Sequence, residues 1–171
     1  MTAASLREIG SAPAVDVVIE SDAWQAVPEA AVLVHRAIAA AAQSALPVRQ
    51  ATELSVLLCD DATIADLNGR WRGQARPTNV LSFPAPPLQA PGASAPLGDI
   101  AVAYETVAHE AEEQHKTVAD HLSHLVVHGF LHLLGYDHQA DGEAERMERL
   151  ERDILAQIGI ADPYASRDAG I

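Results

Sequence analysis

The hydrophobic positions of this chain follow two patterns that recur along its length. In the first pattern, short runs rich in Val, Ile and Leu are bounded by polar residues or Pro, which is typical of buried strands. These runs predict four strands, at residues 13–20, 52–59, 79–83 and 98–104. The second run, TELSVLLC, is almost continuously apolar, so we expect both faces of its strand to be covered.

In the second pattern, hydrophobic residues recur every three or four positions, which predicts amphipathic helices. The predicted helices are residues 28–44, 62–71 and 105–114, a helix that begins after Thr117, and residues 141–158. We expect Val32 and Ala39 of the first helix to face the sheet. The last helix is expected to pack Met147 and Ile154 inward and to leave its acidic residues in water.

The fold class follows from the order of these elements. Four strands interspersed with helices predict an α+β fold, with a mixed sheet of about four strands packed with helices. The stretch PAPPLQAPGASAP, residues 84–96, has no apolar periodicity and predicts a surface loop between two paired strands. A length of 171 residues fits a single domain spanning residues 1–171.

The charge of the chain is strongly negative but unevenly distributed. A net charge of −13 argues against a broad nucleic-acid-binding surface, since phosphate contacts require local positive charge. The acidic residues are concentrated in the C-terminal half, whereas Arg70, Arg72 and Arg76 form a compact cationic group. The distribution therefore predicts an acidic protein with one basic cleft.

The cysteine content and the hydropathy of the chain indicate the cellular compartment in which the protein is expected. The single cysteine, Cys59, excludes an internal disulfide framework, and its place at the end of an apolar run predicts a buried side chain. No segment approaches the roughly 18 to 20 apolar residues of a membrane span. We therefore expect a cytoplasmic protein that makes no contact with a membrane.

The stretch HGFLHLLGYDH, residues 128–138, has the spacing of a metal site. His128 and His132 are one helical turn apart and project from the same face. Gly135 can adopt the left-handed conformation that ends a helix, so the chain can return to bring His138 to the same ion. Three imidazoles leave one tetrahedral position open, as in catalytic zinc sites. Imidazole ligands favour zinc, although nickel or iron could also bind three histidines.

The same spacing occurs in metzincin metallopeptidases, with one difference. Those enzymes have Glu after the first histidine as the general base, and this chain has Gly129 there. A peptidase of the zincin type is therefore disfavoured. Another alternative, outside enzymology, is a non-enzymatic protein whose metal ion only stabilises the fold.

The chain resembles the YbeY-type endoribonucleases, which mature ribosomal RNA. The resemblance rests on HGFLHLLGYDH, on LNGRWRGQARPTNVLSFP at 67–84, on LGDIAVA at 97–103, and on a final acidic helix containing Met147. It implies one metal-dependent endoribonuclease domain with a zincin-like metal-site helix and one Zn²⁺ per chain. It also implies single-stranded RNA as substrate, 16S rRNA 3′-end maturation, a role in ribosome quality control, and the ribosome or ribosomal proteins as partners. With such partners, the non-enzymatic alternative is a ribosome assembly factor whose metal ion is structural.

Residue roles follow from the motif and from this resemblance. His128, His132 and His138 are the expected metal ligands, and His128 is also a catalytic candidate. Arg72 matches the arginine that the family is thought to use in catalysis, where it would hold a phosphate, although its position alone also fits a salt bridge or helix cap. Arg76 is the other candidate for RNA contact.

Two further histidines, His121 and His124, precede His128 on the same predicted helix. Their spacing favours core or surface positions over a role as partners of the metal ligands. The motif contains no general base.

Overall fold

In the computed structural model, the residues described are 12–45, 52–86, 95–137 and 139–165. Their elements follow one another in the order β1, α1, β2, α2, β3, β4, α3, α4, α5. The strands are β1 Ala14–Ile19, β2 Thr52–Cys59, β3 Val80–Pro84 and β4 Ala95–Ala103. The helices are α1 Ala30–Ala45, α2 Asp61–Arg72, α3 Tyr104–Glu113, α4 Val118–Leu133 and α5 Asp141–Gln157.

The four strands form one mixed sheet in the order β1-β2-β4-β3. The β1–β2 and β2–β4 pairs are parallel, and the β3–β4 pair is antiparallel. The predicted α+β fold with a four-stranded mixed sheet is therefore confirmed, as is the pairing of the strands on either side of the Pro-rich stretch. Residues 87–94 of that stretch lie outside the described residues.

Gly98 fixes the geometry of β4 beside the end of β3. Its φ is +136°, and a Cβ atom on it would lie 2.1 Å from the carbonyl oxygen of Phe83. The register between β2 and β4 shifts at this point, between Glu53 and Leu54. Only glycine can occupy this position, since both the backbone conformation and the close approach of β3 exclude a side chain.

Helix α4 is central, as its apolar pattern predicts. Thr117 is its N-cap, where the side-chain oxygen accepts a hydrogen bond from the backbone N–H of Asp120 at 3.1 Å. Eleven of its residues are buried, and it packs against the sheet, α1, α3 and α5. The histidine motif of residues 128–138 therefore begins on a helix that is held on several sides.

The structure corrects the expected orientation of α1. Val32 is 67% exposed, whereas Val34, Ala37, Ile38 and Ala41 are buried, and the buried face packs mainly against α4 and α5. The prediction that Val32 faces the sheet is wrong, because helices α4 and α5 provide most of the surface that α1 covers. A turn of 3₁₀ helix at Asp22–Ala26, which was not predicted, precedes α1 and buries its tryptophan.

Cys59, at the end of β2, is fully buried, as predicted. Burial and the nearby acidic groups raise the pKa of its thiol to about 12. The thiol is therefore protonated at neutral pH and unsuited to nucleophilic chemistry.

Candidate active site

His128 and His132 project from the same face of α4, as their spacing predicts. Their Nε2 atoms are 3.0 Å apart, and the two rings meet edge to face with centroids 4.5 Å apart. Two rings in this arrangement point the same nitrogen atom toward the same region of space. Both lie in the last two turns of α4, close to its C-terminal end.

Each of the two rings is oriented by a hydrogen bond at its other nitrogen atom. Nδ1 of His128 lies 2.5 Å from Oε1 of Glu151, on α5. Nδ1 of His132 donates to the backbone carbonyl of Tyr136 at 2.9 Å. A carbonyl and an ionised carboxylate only accept, so Nδ1 of each ring carries the proton and the neutral ring has its lone pair on Nε2. This is the tautomer that a metal ligand requires.

The distance between the two nitrogen atoms agrees with a shared cation. In a tetrahedral zinc site with zinc–nitrogen bonds of about 2.0–2.1 Å, two ligand nitrogens are about 3.3 Å apart. The 3.0 Å separation is within a few tenths of an ångström of that value. The predicted third ligand, His138, lies outside the described residues, and among those described no three His, Cys, Asp or Glu side chains form a metal-binding group.

Glu151 is the functional group that the sequence analysis missed. Its side chain is fully buried in α5, so the expectation that this helix leaves all of its acidic residues in water is wrong. Burial by itself raises the pKa of Glu151, but hydrogen bonds from His124 and His128 more than offset this and lower it to about 2. The carboxylate is therefore ionised in the core and accepts from His128.

A signal for Glu151 was present in the sequence. It follows the buried Met147 by four residues and precedes the buried Leu155 by four, so it belongs to the apolar face of α5. A carboxylate on the buried face of a helix must have a partner, because an unpaired buried charge is strongly unfavourable. Applied to the hydrophobic stripe of α5, this rule predicts a buried partner for Glu151.

The second oxygen of Glu151 extends the network toward the C-terminal segment. The hydroxyl of Tyr164 donates to Oε2 of Glu151. Nε2 of His124 lies 3.3 Å from the same hydroxyl and 3.5 Å from Oε2. Burial lowers the pKa of His124, which favours a neutral ring that donates from Nε2. His121 and His124 are both buried, so of the two expected placements, core or surface, both occupy the core. Because His124 contacts the carboxylate of Glu151 that bonds His128, it also has the indirect link to His128 that the sequence disfavoured.

Gly129, next to His128, faces the sheet at close range. A Cβ atom there would lie 3.0 Å from the hydroxyl oxygen of Ser82 and 3.2 Å from Cγ2 of Ile100. The glutamate that metzincins have at this position would therefore be directed into β3 and β4 instead of toward a substrate. This contact argues against the peptidase alternative on geometry as well as on sequence.

Arg72 is the last residue of α2 and is exposed. Its guanidinium donates to the backbone carbonyl of Ser82 at 3.4 Å, and the hydroxyl of Ser82 donates to the carbonyl of Gly129 at 3.1 Å. One residue of β3 thus connects Arg72 to α4 beside His128. Gly73, with φ of +70°, ends α2, and Arg76 follows in the exposed loop, where its guanidinium bonds the side chain of Gln74 at 2.9 Å.

A groove of about 650 Å³ extends from His128 along α4. Its lining includes His121 and Glu110, whose Nε2 and Oε1 atoms are 3.0 Å apart, and Asn79, whose amide donates to Glu110 at 2.9 Å. The hydrogen bond from His121 is the main cause of the lowered pKa of Glu110. Three polar residues of the lining, Asn79, Glu110 and His121, are therefore paired with one another, whereas the buried Nδ1 atoms of His121 and His124 have no hydrogen-bond partner among the described residues.

None of the helices in the described ranges is both long enough and apolar enough to cross a membrane.

Comparison with known proteins gives a consistent result. A model of the family Endoribonuclease YbeY matches residues 18–159. An Endoribonuclease YbeY of Bradyrhizobium sp. (strain BTAi1) is 53% identical over 162 residues, covering 91% of this chain and 95% of the relative. One from Rhodopseudomonas palustris (strain BisB18) is 55% identical over 159 residues, with the same coverage.

A solved structure has the same fold. The solution structure of a Thermotoga maritima protein superimposes with a TM-score of 0.51 at 23% identity, covering 84% of this chain and 91% of that one. This likeness concerns the fold alone. From the family match and the identity to curated relatives over nearly the whole length, the chain belongs to the Endoribonuclease YbeY family.

Proposed function

We propose that this chain is a metal-dependent endoribonuclease that hydrolyses phosphodiester bonds of single-stranded RNA. The observation that carries the proposal is the His128–His132 pair, whose Nε2 atoms are 3.0 Å apart while both Nδ1 atoms have acceptors. The name of the relatives, Endoribonuclease YbeY, supports RNA as the substrate.

His128, His132 and His138 would hold one Zn²⁺ per chain. The Nε2 separation of the first two and the acceptors at their Nδ1 atoms support this, and the third is the last histidine of the sequence motif. A bound zinc ion with an open coordination position supplies Lewis-acid polarisation and an activated water at neutral pH.

The protein's own contribution is orientation and charge. Glu151 and the carbonyl of Tyr136 fix the rings of His128 and His132, so their Nε2 atoms do not have to reorient when substrate arrives. Arg72 is connected through Ser82 to the metal helix and is exposed, so its guanidinium is available to a phosphate. There it would stabilise negative charge on the phosphate oxygens in the transition state. Arg76 would contact the RNA strand further along.

The biological substrate proposed is the 3′ end of 16S rRNA, with a role in ribosome quality control in the cytoplasm. The proposal follows the family resemblance in naming the ribosome or ribosomal proteins as partners. The charge of the chain supports such a partner, because a protein of net charge −13 is repelled by RNA at long range. Docking on a ribosomal protein would offset that repulsion.

The test is cleavage of a labelled single-stranded RNA containing the 16S rRNA 3′ end by highly purified protein. His128→Ala and Arg72→Ala should lower the cleavage rate at least 100-fold, while remaining folded by circular dichroism. Matched controls are His35→Ala and Arg149→Ala, which remove an exposed histidine on α1 and an exposed arginine on α5 and should cleave as wild type.

The outcomes separate the candidate functions. Equal cleavage by all five proteins would indicate a contaminating nuclease and would favour the assembly-factor alternative. In that alternative, removal of the metal unfolds the protein and RNA is bound without being cut.

A further inference from the structure

The surface around the end of α2 has an unusual composition for this protein. Residues 70–77, RWRGQARP, are all exposed, and they contain three of the 11 basic residues in a chain of net charge −13. Trp71 stands among them with 72% of its surface exposed. A single exposed apolar side chain is common, but here a large aromatic ring stands between arginines, so one surface presents both a flat apolar face and positive charge.

Trp71 is held in place although it is exposed. Its ring lies 6.2 Å from the ring of Phe83, measured between centroids, at an interplanar angle of 56°. Phe83 is half-buried in β3 and packs against the core under α2. One side of the indole therefore contacts Phe83 while most of its surface faces water. Support of this kind reduces the conformational entropy that the side chain loses on binding.

The charged side chains around Trp71 indicate which class of molecule binds this surface. Arg70 is paired with Asp66 at 3.0 Å in an exposed ion pair of the kind that contributes little. Arg72 and Arg76 make no ion pair with a carboxylate in the part of the chain that the structure describes. Exposed arginines flanking an exposed aromatic ring are the recurring elements of surfaces that bind single-stranded nucleic acid: the arginines contact phosphates and the ring stacks on a base.

We propose that Trp71 is a stacking platform for one base of a single-stranded RNA, whose flanking phosphates are bound by Arg72 and Arg76. This inference rests on the proposed function and adds a base-binding position to it. Hydrogen bonds link the platform to α4 through β3, because Arg72 bonds Ser82 and Ser82 bonds Gly129, the neighbour of His128. A strand stacked on Trp71 would have a phosphate near Arg72.

The platform also explains a preference for single strands. Within a duplex both faces of each internal base are covered by neighbouring base pairs, so a flat aromatic ring has no face to stack on there. Stacking does not depend on base identity, because every base has a π face. The platform therefore predicts selection for unpaired RNA with little selection for sequence.

The experiment is a titration of the full-length protein with a 2′-O-methyl oligouridylate, chosen so that the strand survives the measurement. Fluorescence anisotropy of the labelled strand gives the dissociation constant. Trp71→Ala should weaken binding about 5- to 100-fold, since loss of one base–aromatic stack costs about 1–3 kcal/mol. Trp71→Phe should remain within about threefold of wild type. The matched control is Val32→Ala, because Val32 is a comparably exposed apolar residue at 67% and should bind as wild type.

A second readout uses the two tryptophans of the chain. Trp24 is 1% exposed and donates to the carbonyl of Cys59, so a bound strand cannot reach it. Tryptophan emission of the wild type should therefore be quenched by the strand through Trp71 alone. Trp71→Phe should bind with no quenching. A duplex RNA of the same length should neither quench emission nor compete.

Three results would overturn the platform. The first is an affinity of Trp71→Ala for the strand equal to that of the wild type, and the second is binding of the strand without quenching of tryptophan emission. The third is that Trp71→Ala loses affinity for a purified ribosomal protein but not for the strand. The last result would identify the patch as a protein contact. Cleavage by the wild type is scored separately, so a protein that binds through Trp71 but never cuts would refute the proposed function and leave the platform intact.

Discussion

Ser82 connects two regions of the proposed site that are built in opposite ways. On one side its hydroxyl bonds α4 next to His128, whose ring is held by the buried carboxylate of Glu151. On the other side its carbonyl accepts from Arg72, an exposed side chain in an exposed segment. The metal side is a buried network of hydrogen bonds between α4, α5 and the C-terminal segment, whereas the arginine side faces water.

This difference predicts how mutations in the two regions affect stability and binding. A buried network orients its ligands in advance, and each of its members is also part of the fold. An exposed arginine has little effect on the free energy of folding, and it pairs with an anionic group only when a polyanion binds. Mutations on the metal side should therefore change stability and metal affinity together, while mutations on the arginine side should change RNA binding alone.

The largest effect is expected at Glu151. Glu151→Ala should lower the free energy of unfolding by about 3 kcal/mol, because His128 and Tyr164 each lose this buried acceptor at about 1–3 kcal/mol per group. Glu151→Gln keeps the shape and should fold, but its affinity for zinc should fall about 10- to 100-fold. Urea denaturation and competition with a chromogenic chelator measure the two quantities.

The matched control for this prediction is Glu145→Gln, which removes an exposed carboxylate from the same helix. It should leave both quantities unchanged. Wild-type zinc affinity in a folded Glu151→Gln protein would mean that the carboxylate supports the fold and not the metal ligand.

The next effect is expected at Gly129, where α4 touches the sheet. Gly129→Ala should destabilise the protein by about 1–2 kcal/mol, because the new methyl group is crowded by Ser82 and Ile100. Gly142→Ala is the matched control: a Cβ atom on that helical glycine meets nothing within 4 Å, so the substitution should stabilise by about 0.5–1 kcal/mol. The thermal unfolding midpoints of Gly129→Ala and Gly142→Ala are compared with that of the wild type. Equal shifts of the two midpoints in the same direction would mean that Gly129 is not closely packed against the sheet.

The sequence predicted the fold more completely than the site. The strands, the Thr117 cap and the spacing of His128 and His132 follow from local periodicity, which the structure reproduces to within one or two residues at most boundaries. Glu151 and Tyr164 could not be assigned in the same way, because their role depends on α5 and the C-terminal segment packing beside α4. Contacts between distant segments leave no local period, although the position of Glu151 on an apolar face was a usable clue.

For Arg72, the structure does not define a role either. Its position alone fitted a salt bridge or helix cap, and no ion pair to a carboxylate forms among the residues that the structure describes. An exposed side chain has few structural constraints, so neither pattern nor packing defines its partner. The assignment of Arg72 to phosphate therefore stays a prediction that depends on RNA-binding measurements.

A smaller, pH-dependent effect is expected in the groove beside the metal side. Glu110 accepts hydrogen bonds from His121 and Asn79 and lies near Lys116, and its pKa is lowered, mainly by the bond from His121. A carboxyl group with a lowered pKa in the folded state stabilises the fold above its unfolded pKa and loses that contribution as the pH falls. Glu110→Gln should therefore cost about 1 kcal/mol at pH 7 and progressively less below about pH 4.5.

The measurement is the unfolding free energy of wild type and Glu110→Gln at a series of pH values. A difference that is constant from pH 7 to pH 3 would show that the carboxylate charge at Glu110 contributes nothing. Glu143→Gln, an exposed carboxylate at the start of α5, serves as the control.

The smallest effect tests the arginine side by its salt dependence. Each phosphate contact to a single strand contributes about −0.7 to the slope of log affinity against log salt concentration. Arg76→Gln should therefore reduce the magnitude of that slope by about 0.7 without changing the unfolding free energy, because the side chain is exposed and bonds only Gln74 among the described residues. Arg149→Gln removes an equally exposed arginine from α5 and should leave the slope unchanged. If Arg76→Gln and Arg149→Gln reduce the magnitude of the slope equally, the affinity for RNA depends on the overall charge of the protein and not on a contact at Arg76. A loss confined to Arg76 would instead mean that the strand runs along the exposed loop after α2, in line with the contrast between the two sides of Ser82.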